Sequence, residues 1–102
     1  MDLEKIKALY LSRKIRWSKH CLERMAERDI KRCDIKNCIL NGEIIEEYPN
    51  DYPNPSLLIF GYTLENKALH VVVGFDDNFV YLVTSYFPTT EKFESNLKTR
   101  RK

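Results

Sequence analysis

ALHVVVGFDDNFVYLVTSYF, residues 68–87, reads as two strands and a tight turn. Residues 68–75 and 79–87 are rich in β-branched and aromatic side chains, and Asp76-Asp77-Asn78 supplies the short polar connector that a hairpin needs. One step back, SLLIFGYT (56–63) joins through Glu65-Asn66-Lys67, which makes the three strands an antiparallel meander. A fourth strand is expected at EIIEEY (43–48), ending at Pro49. Three prolines in PNDYPNP (49–55) cannot sit inside a sheet, so this stretch is expected as an exposed loop. Pro88 stops the last strand, and EKFESNLKTRRK (91–102) is expected to make a helical turn and then fray.

Upstream of Gly42 the period is helical. Leu3, Ile6, Leu9 or Tyr10 and Ile15 mark a first amphipathic helix over about residues 2–14. Ser18 can cap a second, residues 18–29, whose apolar side is Leu22, Met25 and Ala26, with Ile30 just beyond. Ile35, Cys38 and Ile39 share the apolar side of a third, about residues 33–40. Asn41-Gly42 ends it, the glycine being expected in the left-handed conformation that closes helices. Helices first and a meander after give the fold class: one α+β domain over residues 1–102, with amino-terminal helices packed on one face of an antiparallel four-stranded sheet.

Of the 102 residues, 43% are hydrophobic and 31% charged, ordinary values for a chain that buries a core. No apolar run approaches the ~18 residues of a membrane span. The start, MDLEKIKALYLSRK, mixes charge with apolar residues and is no signal peptide, so a cytoplasmic protein with no membrane partner is expected. Cys21, Cys33 and Cys38 are an odd count without a CxxC pair, which argues for apolar fillers rather than disulfides or a zinc knuckle. No metal and no cofactor are expected. The net charge of +2 hides a division along the chain. Residues 1–36 carry 11 Lys and Arg against 6 Asp and Glu, residues 37–97 carry 2 against 9, and residues 98–102 carry 4 against none. If the two basic ends meet in space, they form one positive patch.

WSKHCLERMAERD (17–29) places a titratable ring and permanent cations on one helix: His20, Arg24 and Glu27 share a side, with Arg28 further round. In the hairpin, a three-residue loop pairs Phe75 with Phe79 and sets His70 opposite Thr84, with Tyr86 diagonal on the same face; a two-residue loop sets His70 against Ser85. Leu69, Val71, Val73 and Phe75, with Phe79, Tyr81, Val83 and Phe87, are expected beneath the helices. His70, Thr84 and Tyr86 then stand on the opposite face over Val72, Gly74, Val80 and Leu82.

A histidine, arginines, a hydroxyl and a tyrosine are ingredients of metal-free RNA cleavage. There a base takes the 2′-hydroxyl proton, cations stabilise the phosphorane and an acid protonates the leaving 5′-oxygen. The chain shows no carboxylate pair for magnesium, no glycine-rich phosphate loop and no G-x-S-x-G elbow. Each residue also has a structural reading. His20 can be an interfacial residue and His70 a satisfied core histidine. Arg24 and Arg28 can pair with Glu23, Glu27 or Asp29, and KTRRK can be a solvated tail, although its charge also gives salt-dependent affinity for nucleic acid. Tyr48, Tyr52 and Tyr62 can stack on bases or pack the proline turn.

WSKHCLERMAERDI, DIKNCILNGEIIEEYPNDYPNPSLLIFGY, ALHVVVGFDDNFVYLVTSYFP and a final TRR, in that order over about residues 16–101, resemble the bacterial and archaeal family named domain of unknown function 4258. That family is similar to RelE-like and BrnT-like ribonuclease toxins, compact sheet-and-helix proteins that need no metal, and its members are often paired with small zinc-finger antitoxins of the YgiT type. The resemblance implies a toxin of a toxin-antitoxin pair with RelE-like/BrnT-like architecture. It marks His20, Arg24, Arg28, His70, Thr84 and Tyr86, and more weakly Arg100. The expected function is therefore a metal-independent endoribonuclease with His20, Arg24, His70, Thr84 and Tyr86 as catalytic candidates. Arg28, Arg100 and Arg101 would bind RNA, free or on a ribosome, and a cognate antitoxin would be the protein partner. The rival from another class is a non-catalytic RNA-binding or protein-interaction module.

Overall fold

A computed structural model describes residues 3–100. In chain order its elements are α1 (Leu3–Leu11), β1 (Ile15–Trp17), α2 (Lys19–Arg28), α3 (Arg32–Asn41), β2 (Glu43–Tyr48), β3 (Ser56–Tyr62), β4 (Ala68–Phe75) and β5 (Val80–Tyr86). The strands form one five-stranded sheet in the order β1-β5-β4-β3-β2. Pairings among β2 to β5 are antiparallel, whereas β1 runs parallel to β5. The four-stranded antiparallel sheet expected from sequence is thus corrected to a five-stranded mixed one. The first helix stops at Leu11, short of the expected residue 14, and Ile15, read as part of its apolar spacing, instead opens β1. A strand of three residues carries no period of its own, and its partner lies more than sixty positions away, at Val80 to Leu82.

Helix α2 starts as Ser18 predicts, its hydroxyl accepting from the Cys21 amide at 3.0 Å, and stops at Asp29 in the left-handed conformation. Gly42 ends α3 by another route. Its φ is −96°, so no left-handed glycine is involved. A Cβ there would lie 2.5 Å from the Phe60 carbonyl and closer still to that of Cys38. The glycine lets the end of α3 press on β3. All three helices cover one face: Ile6 and Tyr10, Cys21 and Met25, and Ile35, Cys38 and Ile39 pack with Leu57, Ile59, Leu69, Val71, Val73, Val80 and Leu82. No described helix is long and apolar enough to cross a membrane.

The hairpin register differs from both expected versions. Phe75 pairs with Val80, Gly74 with Tyr81 and Val73 with Leu82. The ladder then skips Val83, so that Val72 meets Thr84, Val71 meets Ser85 and His70 meets Tyr86. Asp76 sets the turn. Its carboxylate accepts from the Asn78 and Phe79 amides at 2.8 Å and from the Tyr81 hydroxyl at 2.6 Å, drawing Phe79 into the loop. Because of the shifted start, Val80 and Leu82, rather than Tyr81 and Val83, face the helices; Val83 is left exposed at the bulge. The bulge returns Thr84 and Tyr86 to the face that carries His70.

That second face is not open. Leu58, Phe60 and His70 are buried on it, together with Phe93 from the carboxy-terminal segment. Instead of fraying, residues 88–100 cross the sheet, with a bridge between Phe93 and Arg100. Lys98 and Arg100 bind Glu43 and Glu46 of β2, each at 3.0 Å.

Candidate functional site

The end of α2, the second half of β5 and the carboxy-terminal segment enclose a cleft of about 650 Å³. Arg28 enters from the helix, Thr84, Tyr86 and Phe87 from the strand region, and Lys92, Phe93 and Arg100 from the segment, with Glu91 as the carboxylate among them. Its position follows from local chemistry. The left-handed Asp29 stops α2 beside β5, where Arg28 Nη1 donates to the Ser85 carbonyl at 2.6 Å and fixes the guanidinium at the rim. On the other wall Arg100 donates to both oxygens of Glu46, at 3.2 and 3.0 Å, and its guanidinium lies 4.9 Å from the centre of the Phe93 ring. Glu46 also accepts from the Tyr48 hydroxyl. The two basic ends of the chain meet at this cleft through Arg28 and Arg100, but the positive patch is moderated because Lys98 and Arg100 are already paired with the acidic strand β2.

His70 lies behind the cleft, fully buried. Its Nε2 is 2.7 Å from the Leu97 carbonyl and its Nδ1 is 3.3 Å from the Tyr86 hydroxyl. Phe93, Tyr86 and Phe60 stand edge-on to the ring at 4.6, 5.3 and 5.7 Å. Burial pushes the imidazole below its ordinary pKa and the Tyr86 phenol above its own, so both neutral forms are favoured at neutral pH.

The candidate residues therefore separate. Arg28, Thr84, Tyr86 and Arg100 come together, with His70 in contact through Tyr86. His20 and Arg24 do not line the cleft. His20 is exposed near the start of α2, roughly 12 Å of helix rise from Arg28. Arg24 forms a 2.6 Å ion pair with Glu27 on the helix surface. Arg101 lies outside the described residues. Among the described residues, no three His, Cys, Asp or Glu side chains gather as a metal cage would require. Cys38 is buried, its thiol pushed up to about 12, which removes it as a nucleophile at neutral pH.

Lys92, Phe93 and Leu97 were not anticipated as part of the site. Phe93 offered one signal, a large aromatic residue in a charged segment, which a solvated tail has no reason to contain.

A family model described as "Domain of unknown function (DUF4258)" matches residues 17–87. The match takes in Arg28, His70, Thr84 and Tyr86 and stops before the segment that supplies Lys92, Phe93 and Arg100. No curated protein and no solved structure matches the chain.

Proposed function

The chain belongs to the family described as domain of unknown function (DUF4258), and from the cleft we propose its function: metal-independent endoribonuclease action as the toxin of a toxin-antitoxin pair. The observation that carries this reading is the meeting of Arg28, Thr84, Tyr86 and Arg100 in one cleft, with His70 held against Tyr86. Guanidinium groups from two walls suit a phosphodiester between them and the charge that grows on its oxygens during attack by the 2′-hydroxyl. Thr84 and Tyr86 orient the ribose, and His70 acts on the proton transfers through Tyr86. His20 and Arg24, the second of them paired with Glu27, do not line the cleft and take no part in this reading. The helices on one face of a compact sheet agree with a RelE-like/BrnT-like architecture, the basis for naming an antitoxin, a small zinc-finger protein, as partner and ribosome-bound RNA as a substrate.

Purified protein incubated with RNA and a chelator is expected to release fragments ending in 2′,3′-cyclic phosphate. Arg28→Ala should slow that release about 100-fold. Intact RNA, or cleavage abolished by the chelator, counts against the enzyme. A second reading, a non-catalytic RNA-binding module, is favoured by one observation: His70 is buried and His20 does not line the cleft, so no imidazole reaches the solvent there. It predicts RNA affinity that falls on Arg28→Ala, without any fragments.

A further inference from the structure

The partners of His70 fix which way the Tyr86 hydroxyl points its proton. A backbone carbonyl only accepts, so the nitrogen 2.7 Å from the Leu97 oxygen must carry the hydrogen: His70 is protonated on Nε2. In a neutral ring the other nitrogen, Nδ1, then has only a lone pair to offer, and the Tyr86 hydroxyl at 3.3 Å must donate to it. The ring's surroundings favour neutrality, since its nearest neighbours are aromatic edges. Two charges act on it from further off with opposite sign, Glu46 of β2 and Arg100 of the carboxy-terminal segment.

The backbone that delivers the carbonyl is specially shaped. Leu97 sits at φ 60°, a left-handed conformation that a leucine adopts at a cost. The turn around it is held by the Asn96 side chain, which accepts from the Lys98 and Thr99 amides at 2.9 and 3.1 Å, and by the Leu97 amide, which donates to the Glu94 carbonyl at 2.8 Å. The segment thus aims one carbonyl at one buried ring nitrogen.

Resting on the endoribonuclease reading, we propose that His70 is a positioning residue that makes Tyr86 a hydrogen-bond acceptor toward the cleft, and that this selects a ribonucleotide over a deoxyribonucleotide. With its proton committed to His70, the Tyr86 oxygen has only lone pairs left. Of the two charged groups that act on it, Arg100 can only donate, and Glu46 already accepts from Arg100 and from the Tyr48 hydroxyl. A phosphate that engages Arg100 leaves the Tyr86 oxygen seeking a donor beside it. RNA places one there, because the 2′-hydroxyl is adjacent to the 3′-phosphate. DNA has no group at that position, and a 2′-fluoro sugar carries an acceptor that meets another acceptor.

Two measurements test this. Nitrogen NMR of His70 in the full chain at neutral pH is expected to show a neutral ring protonated at Nε2; protonation at Nδ1, or an imidazolium, overturns the proposal. Titration of a labelled oligoribonucleotide and its 2′-deoxy and 2′-fluoro forms, under conditions where gels show the RNA intact, is expected to give about three- to tenfold tighter binding of the ribose form. Tyr86→Phe, which keeps the ring, should erase that difference while the three oligonucleotides still bind. Equal affinity of the three for the wild type overturns this proposal alone, because cleavage is scored separately. Failure of all three to bind removes the ribonuclease reading as well.

Discussion

His70 has both ring nitrogens partnered within a shell of aromatic edges. An imidazole in that setting is harder to protonate than in the unfolded chain, where its value is near 6.5. Since the folded value lies lower, the unfolded chain binds more protons just below pH 6.5. His70 therefore contributes its full stability above that pH and loses it as the pH falls from there through the lowered folded value. The slope can reach about 1.4 kcal/mol per pH unit. Urea titrations across this range should show a steeper acid-side loss for the wild type than for His70→Gln, while the carboxylate contributions common to both cancel. Parallel curves would mean that the ring binds protons equally in the folded and unfolded chains, and that its surroundings do not disfavour the charged form. Burial keeps the His70 ring out of the cleft, and Tyr86 is its contact with the cleft lining.

At the level of elements, the seat of α3 on β3 fixes the helix layer and the bulge in β5 decides which strand residues reach the cleft. Gly42 has an ordinary φ, so Gly42→Ala tests close approach free of any backbone preference. The added methyl would meet the carbonyls of Cys38 and Phe60, neither of which can swing aside as a side chain would. A loss of about 2–3 kcal/mol is expected, read as a shift in the urea midpoint. Gly74→Ala is the control. Its Cβ would find its nearest neighbour at 3.6 Å, ordinary contact, and should change stability little. If both variants behave alike, the tight seat of α3 is wrong. The bulge acts through parity. Skipping Val83 turns Thr84 and Tyr86 to the side of His70, so one extra residue determines whether the candidate side chains share a surface.

For the whole molecule, the question is what covers the second face of the sheet. Phe93 is 1% exposed and fills the space over His70, while Lys98 and Arg100 tie the crossing segment to Glu43 and Glu46. The ion pairs are solvent-exposed and each is worth at most about 1 kcal/mol, so the ring does most of the holding. Phe93→Ala should cost about 3 kcal/mol and open His70 to solvent, visible as faster hydrogen exchange in β3 and β4 with protection of the helices retained. A frayed tail predicts no change in either. Loss of the segment would also dismantle the cleft, because Lys92, Phe93 and Arg100 are one of its walls.

The amino-acid sequence by itself determined the elements that carry a period: three helices, and the strands β2 to β5 within a residue or two of their ends. It also marked Arg28, Thr84 and Tyr86, since chemistry-bearing residues stand out against an apolar pattern wherever they lie in space, and the family resemblance added Arg100 more weakly. Tertiary structure alone decided the parallel edge strand at residues 15–17, the pairing of His70 with Tyr86, and the placing of His20 and Arg24 outside the cleft. It alone also folded residues 88–100 across the sheet. The physical reason is common to all four. A strand of three residues, a bulge, the point along a helix at which it meets the sheet's second face and a segment held by one phenylalanine and two ion pairs are each fixed by contacts with distant parts of the chain, and such contacts leave no local periodicity to read.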